Sequence, residues 1–418
     1  MKENDMRQIH LLLTLTAAGL ALLVGIDRIH AQTPKEWKIG ALFAFSGPLA
    51  FLGQETFRGA EIASQIVNEQ GGINGAQIVW EKADAGSPAQ ARSEAERLAG
   101  SGVKVVFGTN SSGLAIPASQ VLEQQKVIFW EPGSAADEIT TRGYKYTFRT
   151  VPAGQQWAFT LADFAVDKLT PVLGKTAETV KIAIKYDDSA FGNSIDKSLM
   201  ARLQERNVKV IANEQYSARA TDLSSLVLKL KESGADIILS TDYPNDAILF
   251  ARQSKELGLP TKAVVGWAGI AFPKFRQDLG DYADGMMSIN LPVDIDPNRL
   301  SPDIRKIREE FHARYMSGVG HEPPAFAAAG FDGALALFKY VLPKAKSYDA
   351  DAIRDAAMAA DVPEGGLTMG WGLKFSDGKS SAYTGQNTRA KVGVTQWQAG
   401  RLVLVAPEDL ATGIVKKP

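Results

Sequence analysis

The side chains best suited to chemistry in this sequence sit in two short turns rich in glycine and serine, not in a catalytic set. Gly108, Thr109, Asn110, Ser111, Ser112 and Gly113 follow an apolar run and open a helical pattern. A helix N-terminus presents unpaired N–H groups and the positive end of the helix dipole, so such a turn suits an anion, and hydroxyls add donors without adding charge. The stretch superficially matches a phosphate loop, yet Leu114 and Ala115 stand where lysine and serine or threonine are required. Nucleotide hydrolysis is not indicated. A plain helix cap is the other reading of Ser111 or Ser112. A second polar turn, Glu131, Pro132, Gly133, Ser134, Ala135 and Ala136, follows the next apolar run. Two adjacent turns of this kind at the carboxyl ends of strands favour a shared binding crevice.

Other chemistry is scarce. His312 and His321 are the only histidines beyond residue 31, and each reads more readily as a surface or helix-end residue than as a general base. There is no HExxH, no GxSxG and no CxxC pair. With no cysteine at all, a disulfide scaffold, a thiolate zinc site and a cysteine nucleophile are excluded. No cofactor and no metal are expected, and an enzyme is the least supported class. The formal charge of −1 and the lack of a dense basic run argue against nucleic-acid binding.

These turns need a scaffold, and 418 residues exceed what one hydrophobic core usually supports, so two packed units are expected. Lys2 and Arg7 precede an apolar stretch over 11–26 that ends at Asp27 and Arg28, with Ala31 as a small residue for cleavage. Its 16 residues fall short of the roughly 20 that span a bilayer. Residues 1–31 therefore read as a signal peptide, with a membrane anchor as the alternative. No later apolar run of spanning length is expected. Beyond it, short apolar runs alternate with amphipathic stretches, the mark of parallel α/β structure. Strands are expected at 39–45, 78–80, 103–107 and 127–130, with helices at 53–70, 89–99 and 114–124. Ser87 and Pro88 supply an N-cap and first-turn proline for the second of these. The pattern restarts at 181–185 and runs to 263–265, so two blocks of similar design lie in series, joined near 148–153. The segment 301–359 reads as mostly helical, and 393–405 as a hairpin around Ala399 and Gly400.

Set in order, these pieces resemble the substrate-binding proteins of ABC importers of the leucine/isoleucine/valine type. The resemblance rests on Ile39–Gly40, Ser46 to Pro48, Gly59 to Glu61, Asn68 through Gly75, Ser87–Pro88, Gly108 with Ser111 and Ser112, and Thr140 through Gly143. Phe148 to Thr150, Phe191–Gly192, Thr221–Asp222 and Leu257 to Leu259 extend it into the second half. It implies a type I periplasmic binding fold: two Rossmann-like α/β lobes joined by three hinge crossings, near 151, 292 and 391. The N-terminal lobe is then 37–151 plus 293–390, and the C-terminal lobe 152–292 plus 391–418. The implied protein is a periplasmic, non-enzymatic monomer that closes on a small amino acid-like or carboxylate ligand and serves a membrane permease. A sensory ligand-presenting protein is the alternative, as is a receptor for aromatic acids or amides.

Site residues carry over unevenly. In relatives that bind α-amino acids, the serine at Ser112 and the turn Gly133, Ser134, Ala135 hold the carboxylate; Ala135 replaces a usual threonine, and Ser134 is a substitute donor. Ala268 stands where an acid usually meets the amine, so the amine lacks its usual partner. Two acids are candidates to replace it. Glu131 is either a cleft acid or a salt-bridged residue on the hinge side, and Asp242 either faces the cleft or caps the helix before Pro244. Leu52, Asn110, Phe191, Tyr243 and Trp267 complete the expected cleft, where aromatic walls suit an apolar group; the aromatic residues read alternatively as core.

Overall fold

The computed structural model describes residues 36–261 and 263–418. The signal peptide expected over 1–31 lies outside the described residues. The strands are β1 (Glu36–Phe43), β2 (Gln77–Asp84), β3 (Val105–Thr109), β4 (Ile128–Glu131), β5 (Thr147–Arg149), β6 (Ile182–Asp187), β7 (Val210–Tyr216), β8 (Ile237–Thr241), β9 (Val264–Gly266), β10 (Met287–Asn290), β11 (Asp361–Val362), β12 (Leu373–Asp377), β13 (Thr384–Asn387), β14 (Gly393–Gln398) and β15 (Arg401–Ala406). They form two sheets, ordered β11-β12-β13-β5-β4-β3-β1-β2 and β15-β14-β10-β9-β8-β6-β7. The pairings among β1, β2, β3, β4 and β5 are all parallel, as are those among β6, β7, β8, β9 and β10, while β10 pairs antiparallel with β14. Helices cover such sheets on both faces, which is why β3, β4 and β8 are buried at every residue.

The chain passes between the sheets three times: after β5, after β10 and between β13 and β14. The crossings put late strands into the early sheet, β13 pairing parallel with β5 through Gln386 and Arg149. The second sheet is finished by an antiparallel hairpin, β14 and β15, turning at Ala399 and Gly400 in left-handed conformation. Short β5, β10 and β13 carry no strong sequence signal; pairing with longer neighbours makes them strands.

The longer helices are α1 (Ala50–Glu69), α2 (Pro88–Gly100), α3 (Ser112–Gln124), α4 (Gly154–Phe164), α5 (Ala190–Glu205), α6 (Ser224–Ser233), α7 (Pro244–Glu256), α8 (Pro302–Val319), α9 (Ala325–Leu335) and α10 (Ala350–Met358). Ser87 caps α2 as its sequence predicts, accepting from the Gln90 N–H at 3.3 Å with Pro88 at the first position. Helices α1 and α9 approach so closely that a Cβ on Gly59 would lie 1.9 Å from the Ala327 carbonyl oxygen, and one on Gly330 1.8 Å from that of Thr56. This contact locks the returning segment into the first lobe. Contrary to the sequence expectation, a second apolar stretch long enough to cross a membrane exists, Ala325–Lys344, but it is core. Its Asp332 is buried and satisfied by the N–H and hydroxyl of Thr368 and the N–H of Met369.

Candidate ligand-binding site

A pocket lies between the two sheets, at the carboxyl ends of β3, β4, β6, β8 and β9. Parallel sheets place their strand-to-helix turns there, so the site gathers turns that are remote in sequence.

The first lobe supplies two turns. After β3, Asn110 takes a left-handed conformation (φ 58°), Ser111 sits at the N-cap of α3, and Ser112 begins the helix. Ser111 makes no capping bond with its side chain; its Oγ instead lies 3.4 Å from the Tyr243 hydroxyl of the other lobe. Ser112 Oγ accepts the Ala136 N–H at 3.1 Å, joining the first turn to the second and leaving its own proton for a ligand. The N–H groups of Ser112 and Gly113 head α3 and have no partner within it. Among the described residues the Ala135 N–H also meets no acceptor. Gly133 is required for a steric reason: a Cβ there would fall 1.8 Å from Asn110 Oδ1. Ser134 Oγ is buried without a hydrogen-bond partner of good geometry.

The second lobe supplies aromatic rings and charge. Phe191, at the start of α5, packs edge-on to Trp267 at 4.7 Å and against Tyr243 at 5.4 Å. Trp267 is backed by Trp157. Burial pushes the Tyr243 hydroxyl up to about 12, so it stays protonated and neutral. Asp242 follows β8 and is 2% exposed, its Oδ2 3.0 Å from the Nζ of fully buried Lys185 and bonded to the Ser240 hydroxyl. Two further carboxyls neighbour this pair. Burial raises Asp187 to about 6 and Asp246 to about 7, the Asp242 charge adding to both. One lysine is thus set among three carboxyl groups.

Ten of the expected residues therefore line one cavity: Leu52, Asn110, Ser112, Gly133, Ser134 and Ala135 from the first lobe, and Phe191, Asp242, Tyr243 and Trp267 from the second. One described residue of the set does not follow expectation. Glu131 is fully buried beneath the turns instead of facing the cleft, and it is not the salt-bridged residue of the other reading; backbone N–H groups surround it. Asp242 is not a helix cap, since Tyr243 holds that position in α7. Ala268 opens the 3-10 turn Ala268–Ala271 beside Trp267, and its side chain lies outside what the structure describes. Ser111, Pro244 and Phe326 complete the wall. Phe326 comes from α9, and no local signal ties it to a turn 215 positions earlier. Lys185 had a signal that sequence reading passed over: a lysine inside the apolar strand run Ile182, Ala183, Ile184, where a charge must find a buried partner.

Two sheets with a pocket at their facing carboxyl edges define a two-lobe binding protein, and the chain belongs to the periplasmic binding protein family, whose model matches residues 36–401. It is 36% identical to Leu/Ile/Val-binding protein homolog 7 of Brucella suis, over 95% of this chain and 97% of that one. Homolog 8 of Brucella abortus is likewise 36% identical, covering 90% and 91%. In fold it is similar to the branched-chain amino acid transporter substrate-binding protein of Streptococcus pneumoniae in complex with isoleucine (TM-score 0.74, 23% identity, 89% of this chain and 100% of that one). A solute-binding protein of R. palustris in complex with benzoate has the same fold (TM-score 0.73, 19% identity, 90% and 99%). The chain is a binding protein of a family named for the periplasm, outside the cytoplasm.

Proposed function

We propose that this receptor captures a small apolar α-amino acid, carboxylate on the first lobe and ammonium on the second. One juxtaposition carries the reading: uncharged donors at Ser112, Ala135 and the head of α3 face the Asp242 carboxylate across a cage of Phe191, Tyr243 and Trp267. A carboxylate suits the helix end and hydroxyls, an apolar side chain suits the rings, and an ammonium suits an acid. Lys185 does not exhaust that acid, because Asp187, raised only to about 6, adds a second carboxylate to the same buried cluster at neutral pH. The Brucella homologs named for Leu/Ile/Val binding support the same class. The three crossings near 151, 292 and 391 are the hinges on which the lobes close, and a signal peptide at 1–31 delivers a monomeric protein to the periplasm and its permease. It binds without turning its ligand over.

A second reading has one specific observation behind it. The Lys185–Asp242 pair is already close at 3.0 Å, which suits a carboxylate ligand with no ammonium. Calorimetric titration of leucine, isoleucine and phenylalanine against 4-methylpentanoate and 3-phenylpropanoate separates the two. Amino acids are expected to bind and their deaminated counterparts to bind weakly, with Asp242→Asn removing the preference. Deaminated acids that bind as tightly as the amino acids would overturn the amine assignment.

A further inference from the structure

Glu131 and Arg149 are both fully buried, and they sit directly opposite each other in the β4–β5 register. Each is satisfied by peptide groups of the ligand-facing turns. Glu131 Oε1 accepts the N–H groups of Gly133 and Ser134, both at 2.8 Å, and that of Asn110 at 3.1 Å; Oε2 accepts that of Thr109 at 2.7 Å. One carboxylate thus ties together two turns more than twenty positions apart. Arg149 works from the other polarity. Its Nη1 donates to the carbonyls of Ala135 (2.8 Å) and Ala136 (2.7 Å), while Nη2 and Nε reach Thr140 Oγ1 (2.8 Å) and Gln386 (2.6 Å). A buried charge is tolerated only when hydrogen bonds replace its water, and the second turn supplies part of that replacement to both.

We propose that Glu131 and Arg149 are the positioning residues of the binding site, gripping the second turn by its amides and by its carbonyls and so deciding which donors are left for the ligand. The Gly133 and Ser134 amides, which would otherwise be available to an anion, are spent on Glu131. Recognition of the ligand's carboxylate then falls to Ser112 Oγ, the Ala135 N–H and the first amides of α3. Gln386 carries the frame to the crossing segment, its Nε2 donating to the Val151 carbonyl at 2.7 Å. The proposal rests on the pocket being the ligand site, and it holds for an amino acid or a deaminated acid alike.

Two measurements on the intact protein test it. The first is residue-resolved amide hydrogen exchange without ligand, on wild type, Glu131→Gln and Arg149→Lys. Although they lie in turns, the amides of Asn110, Gly133 and Ser134 should be protected, and Ala135 should exchange faster. Glu131→Gln should cut protection by about tenfold or more at both turns together, with β1 unchanged as the control for an intact fold. The second is titration with isoleucine, or with 3-phenylpropanoate should that be the better binder. Loss of hydrogen bonds to a buried carboxylate should weaken binding about 10–100-fold in Glu131→Gln. Ser112→Ala should then cost less in that background than in wild type, since the donor is already misplaced. Turn amides that exchange freely in wild type, exchange that Glu131→Gln leaves unchanged, or additive losses in the double variant would each overturn the proposal. A fold defect alone would instead raise exchange in β1 as well. The exchange arm uses no ligand, so its failure is distinct from a wrong choice of amino acid.

Discussion

The two halves of the pocket are built on opposite principles. In the first lobe the groups facing the cavity are neutral, and the charges that hold them, Glu131 and Arg149, are out of sight behind the turns. In the second lobe a charge stands in the wall itself: Asp242 lines the pocket, paired with Lys185 and crowded by Asp187 and Asp246. A carboxylate can be held by helix-end amides and hydroxyls without a counter-ion, so the first half suits any small organic acid. An ammonium needs an acid, and rings need an apolar partner, so on the proposed function the second half selects among acids, and capture and selection are divided between lobes.

Removing the central charge of the second half should have the largest effect. Lys185→Met strands Asp242 in a buried site, and breaking such a pair from one side typically costs about 3–5 kcal/mol. Urea unfolding at pH 8 should show that loss; full stability would mean that the carboxyl cluster is neutral without its lysine, and the contrast between lobes would fail. In the first half, Ser112→Ala should weaken ligand binding by about 1–3 kcal/mol, the cost of leaving a charged partner one hydrogen bond short. Calorimetry should find the fold unharmed and the loss equal for amino acids and deaminated acids. A loss confined to amino acids would place Ser112 at the wrong end of the ligand.

The mildest effect should be a pH dependence. Asp246 has a native value of about 7 against an ordinary value near 3.8, so the folded state holds a proton that the unfolded state releases. Its contribution to stability is complete below about pH 4 and is lost as pH rises through about 7. Asp246→Asn removes that titration. The stability of wild type relative to the variant should therefore fall between pH 5 and pH 8, read from urea midpoints. A constant difference would show that Asp246 ionises normally, and the second lobe would lose its excess of protonated acid.

Much of this arrangement was legible along the chain. The turn at 108–113 could be read because strand, Gly/Ser turn and helix are consecutive, and the chemistry of a helix N-terminus needs no distant partner. Ser87 and Pro88 marked a helix start for the same reason. Glu131 was misread because a carboxylate's role depends on what surrounds it. Its partners at Thr109 and Asn110 are 22 and 21 positions away, and only the β3–β4 pairing brings them under its oxygens. Asp242 lines the pocket as expected, but its pairing with Lys185 joins two strands and changes what it can offer.

By itself the sequence determined the two α/β blocks and the polar turns, since periodicity and turn chemistry are properties of neighbouring residues. Only the tertiary structure decided where each buried charge is neutralised. That placed Glu131 behind the site, Asp242 within it and Phe326 in its wall, because burial makes the position of a partner, not the type of a residue, the controlling term.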